Sequence, residues 1–261
     1  MDLGLSERVC VVTGSTAGIG LETARLLAAE GANVVVCARA TARPEAARAD
    51  TGAALAVSCD LASREGPAEL IERTEEAFGR VNCLVNNVGV AVQRSLDDVT
   101  DEDWDALWQL NVMSYVRTIR AAVPGMRARG SGRIVNVSST AGKRPSAGMP
   151  DYSVTKAAVL SLSRLVADVY AKDGILCNAV CPGPTRSAAW LGEGGLADQV
   201  AARTGKPREQ VLEDMGKGRP IGRMAEPLEI ASVIAFLCSS RASYVTGAAW
   251  GADGGTVPVI I

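Results

Sequence analysis

Val9-Cys10-Val11-Val12-Thr13-Gly14-Ser15-Thr16-Ala17-Gly18-Ile19-Gly20 is the stretch that decides the fold of this 261-residue chain. Its apolar, β-branched opening reads as a strand buried on both faces. Glycines at 14, 18 and 20 then let the backbone turn tightly, and a helical pattern takes over from Ile19. Strand, glycine-rich turn and helix N-terminus together form a cradle for a phosphate. The unpaired N–H groups and the dipole of the helix both favour an anion there. The spacing is G-x-x-x-G-x-G, and the Lys-Ser/Thr of a nucleoside-triphosphatase loop is missing. Glycines serve any tight turn, so the loop by itself leaves a plain turn open.

Working outward, short apolar runs recur at Asn33–Cys37, Ala54–Ser58, Cys83–Asn86, Arg133–Val137, Ile175–Val180 and Ala248–Gly251. Helix-type stretches lie between them at Ile19–Glu30, Pro67–Phe78, Glu102–Arg129, Tyr152–Lys172 and Pro227–Ser239. Asp101 and Asp151 are expected as N-caps, and Gly31, Gly79, Gly130 and Gly174 as C-terminal stops. Strands alternating with helices imply βαβ units. The expected fold is a doubly wound α/β parallel sheet of about seven strands with helices on both faces. No repeat, linker or low-complexity tract divides the chain, so residues 1–261 are expected to form a single domain. Residues Pro184 to Pro220 break the rhythm with glycines, charges and two short helical patches, Leu196–Arg203 and Arg208–Met215. Such an excursion beyond a strand's C-terminal end is expected to be a lid over a ligand crevice.

The chain is 48% hydrophobic and 21% charged with a formal net charge of −2, which fits a globular protein. That balance advertises neither nucleic acid nor an anionic membrane as a partner. Histidine is absent altogether. Ser-His-Asp and Cys-His nucleophile systems and histidine-bound zinc are therefore excluded, and acid–base work falls to Tyr, Lys, Cys, Asp or Glu. The seven cysteines are odd in number, form no C-x-x-C pair and sit in apolar runs. They are expected as buried free thiols, and no metal site is expected. This usage fits a reducing compartment, and the N-terminus has no signal pattern, so a soluble, cytoplasmic protein is expected.

Tyr152-Ser153-Val154-Thr155-Lys156 sets a phenol and an ammonium four residues apart on one helix face. A nearby positive charge favours the phenolate, which lets a tyrosine act as general acid or base without histidine. A stray surface pair is the alternative. Upstream, Gly132-Arg133-Ile134-Val135-Asn136-Val137-Ser138-Ser139 delivers hydroxyls at the C-terminal end of a strand, where a parallel sheet binds its ligand. The second strand ends in Ala38-Arg39, where NAD-binding folds place an acidic residue for the ribose hydroxyls. A guanidinium there can clasp a 2′-phosphate, so NADP(H) is expected as the preferred cofactor over NAD(H). An ordinary exposed arginine is the other reading.

In order and spacing, the glycine pattern, Asn86-Asn87-Val88-Gly89, the Ile134–Ser139 strand, Tyr152-x-x-x-Lys156 and Pro182-Gly183 resemble the classical short-chain dehydrogenase/reductase family. The resemblance covers essentially the whole chain, from about Leu5 to Gly255. It implies a Rossmann-type fold and an NAD(P)-dependent enzyme acting on CH–OH groups. Tyr152 is then the acid/base, and Lys156 lowers its pKa and holds the nicotinamide ribose. Ser139, rather than Ser138, binds the substrate oxygen, and Asn111 holds a proton-relay water through a kinked helix. Dinucleotide contacts are implied for Gly14, Ser15, Thr16, Gly18, Ile19 and Gly20, for Asp60 and Leu61 by the adenine, and for Asn87 and Gly89. Pro182, Gly183, Thr185 and Ser187 fall near the carboxamide. Val88 and Ser187 depart from the usual alanine and threonine.

By the same analogy Val92, Gln93, Met149, Trp190 and Leu191 line the substrate pocket. The implied substrate is a small-molecule ketone or secondary alcohol. Two further readings stay open. One is a 3-oxoacyl-[acyl-carrier-protein] reductase, with Arg127, Arg129, Arg133, Lys143 and Arg144 as a patch for an acidic carrier. The other is a non-catalytic, dinucleotide-binding redox sensor. The resemblance also implies a homotetramer or homodimer. Thr256–Ile261 either packs at such an interface or covers its own core.

Overall fold

The computed structural model describes residues 2–40 and 42–258. Its sheet contains β1 (Val9–Val12), β2 (Asn33–Ala38), β3 (Leu55–Ser58), β4 (Cys83–Asn86), β5 (Gly132–Val137), β6 (Ile175–Pro182) and β7 (Ala249–Ala252). All neighbours pair in parallel, in the order β3-β2-β1-β4-β5-β6-β7. The sheet is the doubly wound Rossmann type. Strand order reverses at β1, which puts the ligand crevice at the C-terminal ends of β1 and β4.

The helices are α1 (Gly18–Ala29), α2 (Ala42–Thr51), α3 (Gly66–Phe78), α4 (Asp101–Trp108), α5 (Ser114–Ala128), α6 (Thr140–Lys143) and α7 (Pro150–Tyr170). They continue as α8 (Ala188–Leu191), α9 (Leu196–Thr204), α10 (Arg208–Lys217) and α11 (Pro227–Cys238). Alternate strand residues enter opposite cores, as the pleat dictates. Cys10, Val12, Val34, Val36, Val85 and Val135 pack with Ala24 and Leu27 of α1 and with Ile230 and Ile234 of α11. Val11, Val35, Leu84 and Ile134 pack instead with Leu70 of α3, Ile119 of α5 and Val166 of α7. With both faces covered, the strands read as continuous apolar runs. Each such side chain contributes roughly 1.5–3 kcal/mol of burial. All seven cysteines are buried, free thiols.

Four local readings need correction. No helix was expected between β2 and β3, yet α2 is there. Its sequence is alanine- and charge-rich, and only Pro44, Ala47 and Thr51 are buried, so no apolar period announces it. The helix read over 102–129 from its pattern is divided by a widened, π-type turn at Gln109–Met113, at the kink that the family resemblance implied for Asn111. Asp101 is not the cap of α4. Thr100 is, in a reciprocal box with Asp103. Asp151 lies inside the first turn of α7, completely buried, behind Met149 as cap and Pro150. By contrast Gly31, Gly79, Gly130 and Gly174 all have positive φ where their helices stop. Residues 184–220 carry α8, α9 and α10 over a separate apolar cluster of Trp190, Leu196, Ala197 and Met224.

Candidate active site

The turn after β1 is clamped to the segment after β4. Thr13 is buried, and its Oγ1 accepts from the Asn87 N–H at 2.8 Å and the Val88 N–H at 3.1 Å. Asn87 Nδ2 donates to the Thr13 and Gly14 carbonyls, each at 3.0 Å. Gly14 has φ +61°, and a Cβ there would lie 2.9 Å from Val88 Cα, so no other residue fits without a shift. Ala17 caps α1 without a side-chain hydrogen bond, and the first turn of α1 holds no acidic residue. Its N-terminal N–H groups are left for an anion. The Ser15 hydroxyl accepts from the Cys37 N–H at 3.0 Å and ties the turn to β2.

On the other side, β5 delivers two serines with different tasks. Ser138 is buried and its Oγ donates to the Lys156 carbonyl at 2.7 Å, which docks α7 on the strand. Ser139 caps α6, its Oγ accepting from the Ala141 N–H at 3.1 Å, and keeps its own hydroxyl proton for the cavity. Lys156 is only 3% exposed. Its Nζ donates to the Val137 carbonyl at 2.8 Å and lies 3.4 Å from Tyr115 Oη. Tyr115 is fully buried, with its Oη 3.0 Å from the Val88 carbonyl and 3.1 Å from that of Val137. It braces the floor of the site, and the sequence reading missed it. The available signal was a tyrosine four residues after Asn111 in an aromatic-poor chain.

Burial pushes Lys156 down to about 7. Burial also pushes the Tyr152 phenol up, and the Ser139 hydroxyl acts in the opposite sense. The expected pull of Lys156 on Tyr152 is therefore outweighed by desolvation of both groups. Asn111 lies in the widened turn between α4 and α5, fully buried. Its Oδ1 accepts from the Val90 N–H at 3.0 Å, and its Nδ2 donates to the Val90 carbonyl at 3.0 Å and to Thr155 Oγ1 at 3.2 Å. One side chain thus joins three elements around the site.

A cavity of ≈ 630 Å³ results. Gly14, Gly18, Ile19, Asn87 and Gly89 line one part of it, and Ser139, Tyr152 and Lys156 line another. Pro182, Gly183, Thr185 and Ser187 reach it from the end of β6, with Gln93, Met149 and Trp190 close by. A phosphate-sized cradle and a phenol beside a hydroxyl therefore share one wall-to-wall space.

Residues 14–257 match the family described as Enoyl-(Acyl carrier protein) reductase. The chain belongs to the classical short-chain dehydrogenase/reductase family. This short-chain dehydrogenase/reductase is 37% identical to the uncharacterized oxidoreductase YvrD of Bacillus subtilis (strain 168), over 98% of this chain and 99% of that protein. It is 39% identical to cis-4-hydroxycyclohexanecarboxylate dehydrogenase of Sinomonas cyclohexanicum, over 99% and 100% of the two chains. L-Sorbose reductase from Gluconobacter frateurii, solved in complex with NADPH and L-sorbose, superposes with a TM-score of 0.92 at 36% identity, covering 100% of both chains. The protein is an NAD(P)-dependent oxidoreductase acting on CH–OH groups.

Several residues singled out from the sequence lie off the cavity wall. Ser15 and Thr16 belong to the turn and Gly20 to the first turn of α1; a Cβ on Gly20 would meet the Gly14 carbonyl at 2.3 Å. Arg39 is exposed at the end of β2, and Asp60 is exposed after β3, its Oδ1 accepting from the Ala62 N–H at 3.0 Å. Leu61 is buried in the core. Val92 is half-buried beyond the wall, and Leu191 packs beneath Trp190. Arg144 and Arg219 do line the cavity and were not assigned to it from the sequence. The five-residue basic patch does not form. Arg133 is the second residue of β5, with Arg127 and Arg129 just before the strand, whereas Lys143 and Arg144 lie past its other end. At ~3.3 Å per residue, a six-residue strand separates the two groups by about 20 Å. Among the described residues no helix is long and apolar enough to cross a membrane. Residues 259–261 of the Thr256–Ile261 stretch lie outside the described residues.

Proposed function

We propose that this enzyme interconverts a ketone and a secondary alcohol, with NADP(H) as preferred cofactor and Tyr152 as acid/base. The observation that carries the reading is that Ser139, Tyr152 and Lys156 line the same cavity as the glycine turn. The residues present suit a dinucleotide. The α1 N-terminus has neither a side-chain cap nor an acidic residue, and Gly14 keeps the adjoining backbone bare. When bound, the nicotinamide supplies the hydride. Around it Gly14, Gly18 and Ile19 hold phosphate, and Thr185 and Ser187 offer hydroxyls to the carboxamide. Ser139 and Tyr152 donate to the carbonyl oxygen, and Tyr152 Oη delivers the proton. Lys156, fixed on the Val137 carbonyl, faces the phenol with its Nζ 5.7 Å from the ring centroid. Asn111 positions Val90 and α7, and the opened turn around it frees backbone carbonyls for a proton-relay water.

Arg39 supports the choice of NADP(H). It is exposed beside Ala38, and β2 itself ends without the acidic residue that would repel a 2′-phosphate. L-Sorbose reductase, which superposes closely, is described with NADPH. Asp60 and Leu61 follow β3, beside the Ala38–Arg39 end of β2, and take the adenine. Residues 184–220 serve as the lid, closing α8 to α10 over the site. The substrate is a free small molecule; the broken basic patch disfavours an acyl-carrier protein as its donor. Retention of both Tyr152 and Lys156 disfavours a mere redox sensor. Seven buried thiols support a cytoplasmic location. Exposed Leu165 and Val169 beside an apolar groove between α5 and α7 support a homodimer or homotetramer.

NADPH consumption with a panel of ketones tests the reading. Tyr152→Phe should lose at least ~10²-fold in kcat while still binding NADPH, the scale of a lost general acid. Near-normal turnover in Tyr152→Phe refutes the assignment.

A further inference from the structure

The charged residues of the cavity wall are all of one sign. Among the described lining residues stand Lys156, Arg144 and Arg219, and no aspartate or glutamate. This is unusual for a chain whose acidic residues outnumber its basic ones, 29 to 27. Lys156 is occupied at the floor by the Val137 carbonyl. Neither arginine takes part in an ion pair among the described residues, although most of the described ion pairs in this chain use an arginine. Arg144 makes only a backbone hydrogen bond, from its N–H to the Thr140 carbonyl at 2.9 Å. Arg219 is half-buried, and its Nε and Nη2 donate to the carbonyl and sulfur of Met215 at 3.2 and 2.9 Å. That fixes the guanidinium and leaves Nη1 free for the cavity. Burial pulls the Arg219 pKa down, the charge of Arg144 pulls it further, and the Asp253 carboxylate acts in the opposite sense without forming an ion pair.

Like charges held together without a partner are a disposition for an anion. Their place shows which anion. Arg144 ends the short helix that Ser139 begins, five residues on, or roughly 7.5 Å of helical rise. The α1 N-terminus, which receives phosphate, follows β1. That strand lies two positions from β5, or about 10 Å across the sheet. The arginines therefore flank the reacting carbonyl rather than the pyrophosphate. We infer that Arg144 and Arg219 form a carboxylate-binding subsite, and that the substrates are oxo acids and hydroxy acids whose carboxylate lies a few carbons from the reacting carbon. Arg219 sits between α10 and Ile221, whose N–H donates to the Gly254 carbonyl at 3.2 Å. Closing of the 184–220 segment would bring it onto the substrate.

The inference rests on the oxidoreductase reading above, and the experiment separates the two. The NADP⁺-loaded enzyme is titrated calorimetrically with cyclohexanecarboxylate and with the neutral cyclohexanecarboxamide. NADPH-dependent kcat/KM is measured for 4-oxocyclohexanecarboxylate and its methyl ester. The carboxylate should bind, and the oxo acid should be reduced, ten- to a hundredfold better than the neutral partner, the scale of a charged hydrogen bond. In Arg144→Ala/Arg219→Ala that acid-to-neutral ratio should collapse towards one, mainly through KM, with the Kd for NADP⁺ held. Arg144→Lys/Arg219→Lys should keep part of it, because charge survives while the planar fork is lost. An unchanged ratio in the alanine variant overturns the subsite, as does a wild type that favours ester and amide. A parallel loss of NADP⁺ affinity would instead assign the arginines to the cofactor and equally overturn it. Tight carboxylate binding without turnover of any carbonyl would keep the subsite and remove the reaction.

Discussion

Replacing Arg94 by methionine should cost the protein about 3 kcal/mol without touching the cavity. Asp151 is completely buried one residue before Tyr152. Its Oδ1 accepts from the Tyr152 N–H at 2.8 Å. Its Oδ2 has no hydrogen bond and stands 3.5 Å from Arg94 Nε. Arg94 also pairs with Asp103 at 2.5 Å, and its N–H donates to the Gly148 carbonyl at 3.0 Å. The pair pins the loop after β4 to the first turn of α7. Arg94→Met keeps most of the apolar stem but leaves the carboxylate without its counter-charge. Losing one partner of a buried pair costs ~3–5 kcal/mol. The Arg94–Asp151 contact is not a hydrogen bond, so the lower end applies. For a chain of this size each kcal/mol moves Tm by roughly 2–4 °C, so the shift should be about 6–12 °C. Differential scanning calorimetry of the cofactor-free protein reads it. Arg94→Met/Asp151→Asn should recover most of the loss, because asparagine still accepts from the Tyr152 N–H and carries no charge. A single variant melting within ~2 °C of wild type, or a double variant no more stable than Arg94→Met, refutes the reasoning.

Two further outcomes follow from the cofactor site. Lys156 is pushed from its ordinary 10.5 to about 7 in the folded chain, so between those values the unfolded chain holds a proton that the folded one has shed. The Lys156 contribution to the stability of the cofactor-free protein should therefore rise from pH 7 towards 10, by ~1.4 kcal/mol per unit and a few kcal/mol in all, with the full penalty remaining below 7. The buried thiols, pushed up by burial, act in the opposite sense above about pH 8, so urea titrations should show the contribution as the difference in slope between wild type and Lys156→Met; equal slopes would contradict it. Arg39→Ala should weaken NADPH binding roughly ten- to a hundredfold and leave NADH nearly unaffected, measured as Kd by fluorescence titration. A wild type that prefers NADH, or an Arg39→Ala variant with unchanged preference, would reverse the cofactor assignment.

Local sequence alone was enough for the sheet and for setting Tyr152 and Lys156 on one helix face. Buried parallel strands are apolar on both faces, so Val9–Val12 or Cys83–Asn86 announce themselves without knowledge of their neighbours. Glycine at 14 is dictated by a positive φ and a 2.9 Å approach, and Tyr152 and Lys156 meet because four residues make one helical turn. What the sequence hid was whatever depends on who faces whom. The widened turn at Gln109–Met113 is imposed by Asn111 reaching Val90 and Thr155, neither of them near it in the chain. Helix α2 has almost no apolar stripe, because it covers little of the core. The family spacing singled out Ser139 over Ser138, but the partner that holds Ser138, the Lys156 carbonyl, is supplied only by the docking of α7. Burial works against the expected pull of the lysine on the tyrosine, pushing the phenol up and the ammonium down, since the cost of losing water is set by the surrounding fold and not by the spacing of the two residues. Arg144 and Arg219 stand 75 residues apart in sequence, and only the tertiary fold brings the two guanidiniums, neither in an ion pair, to one wall.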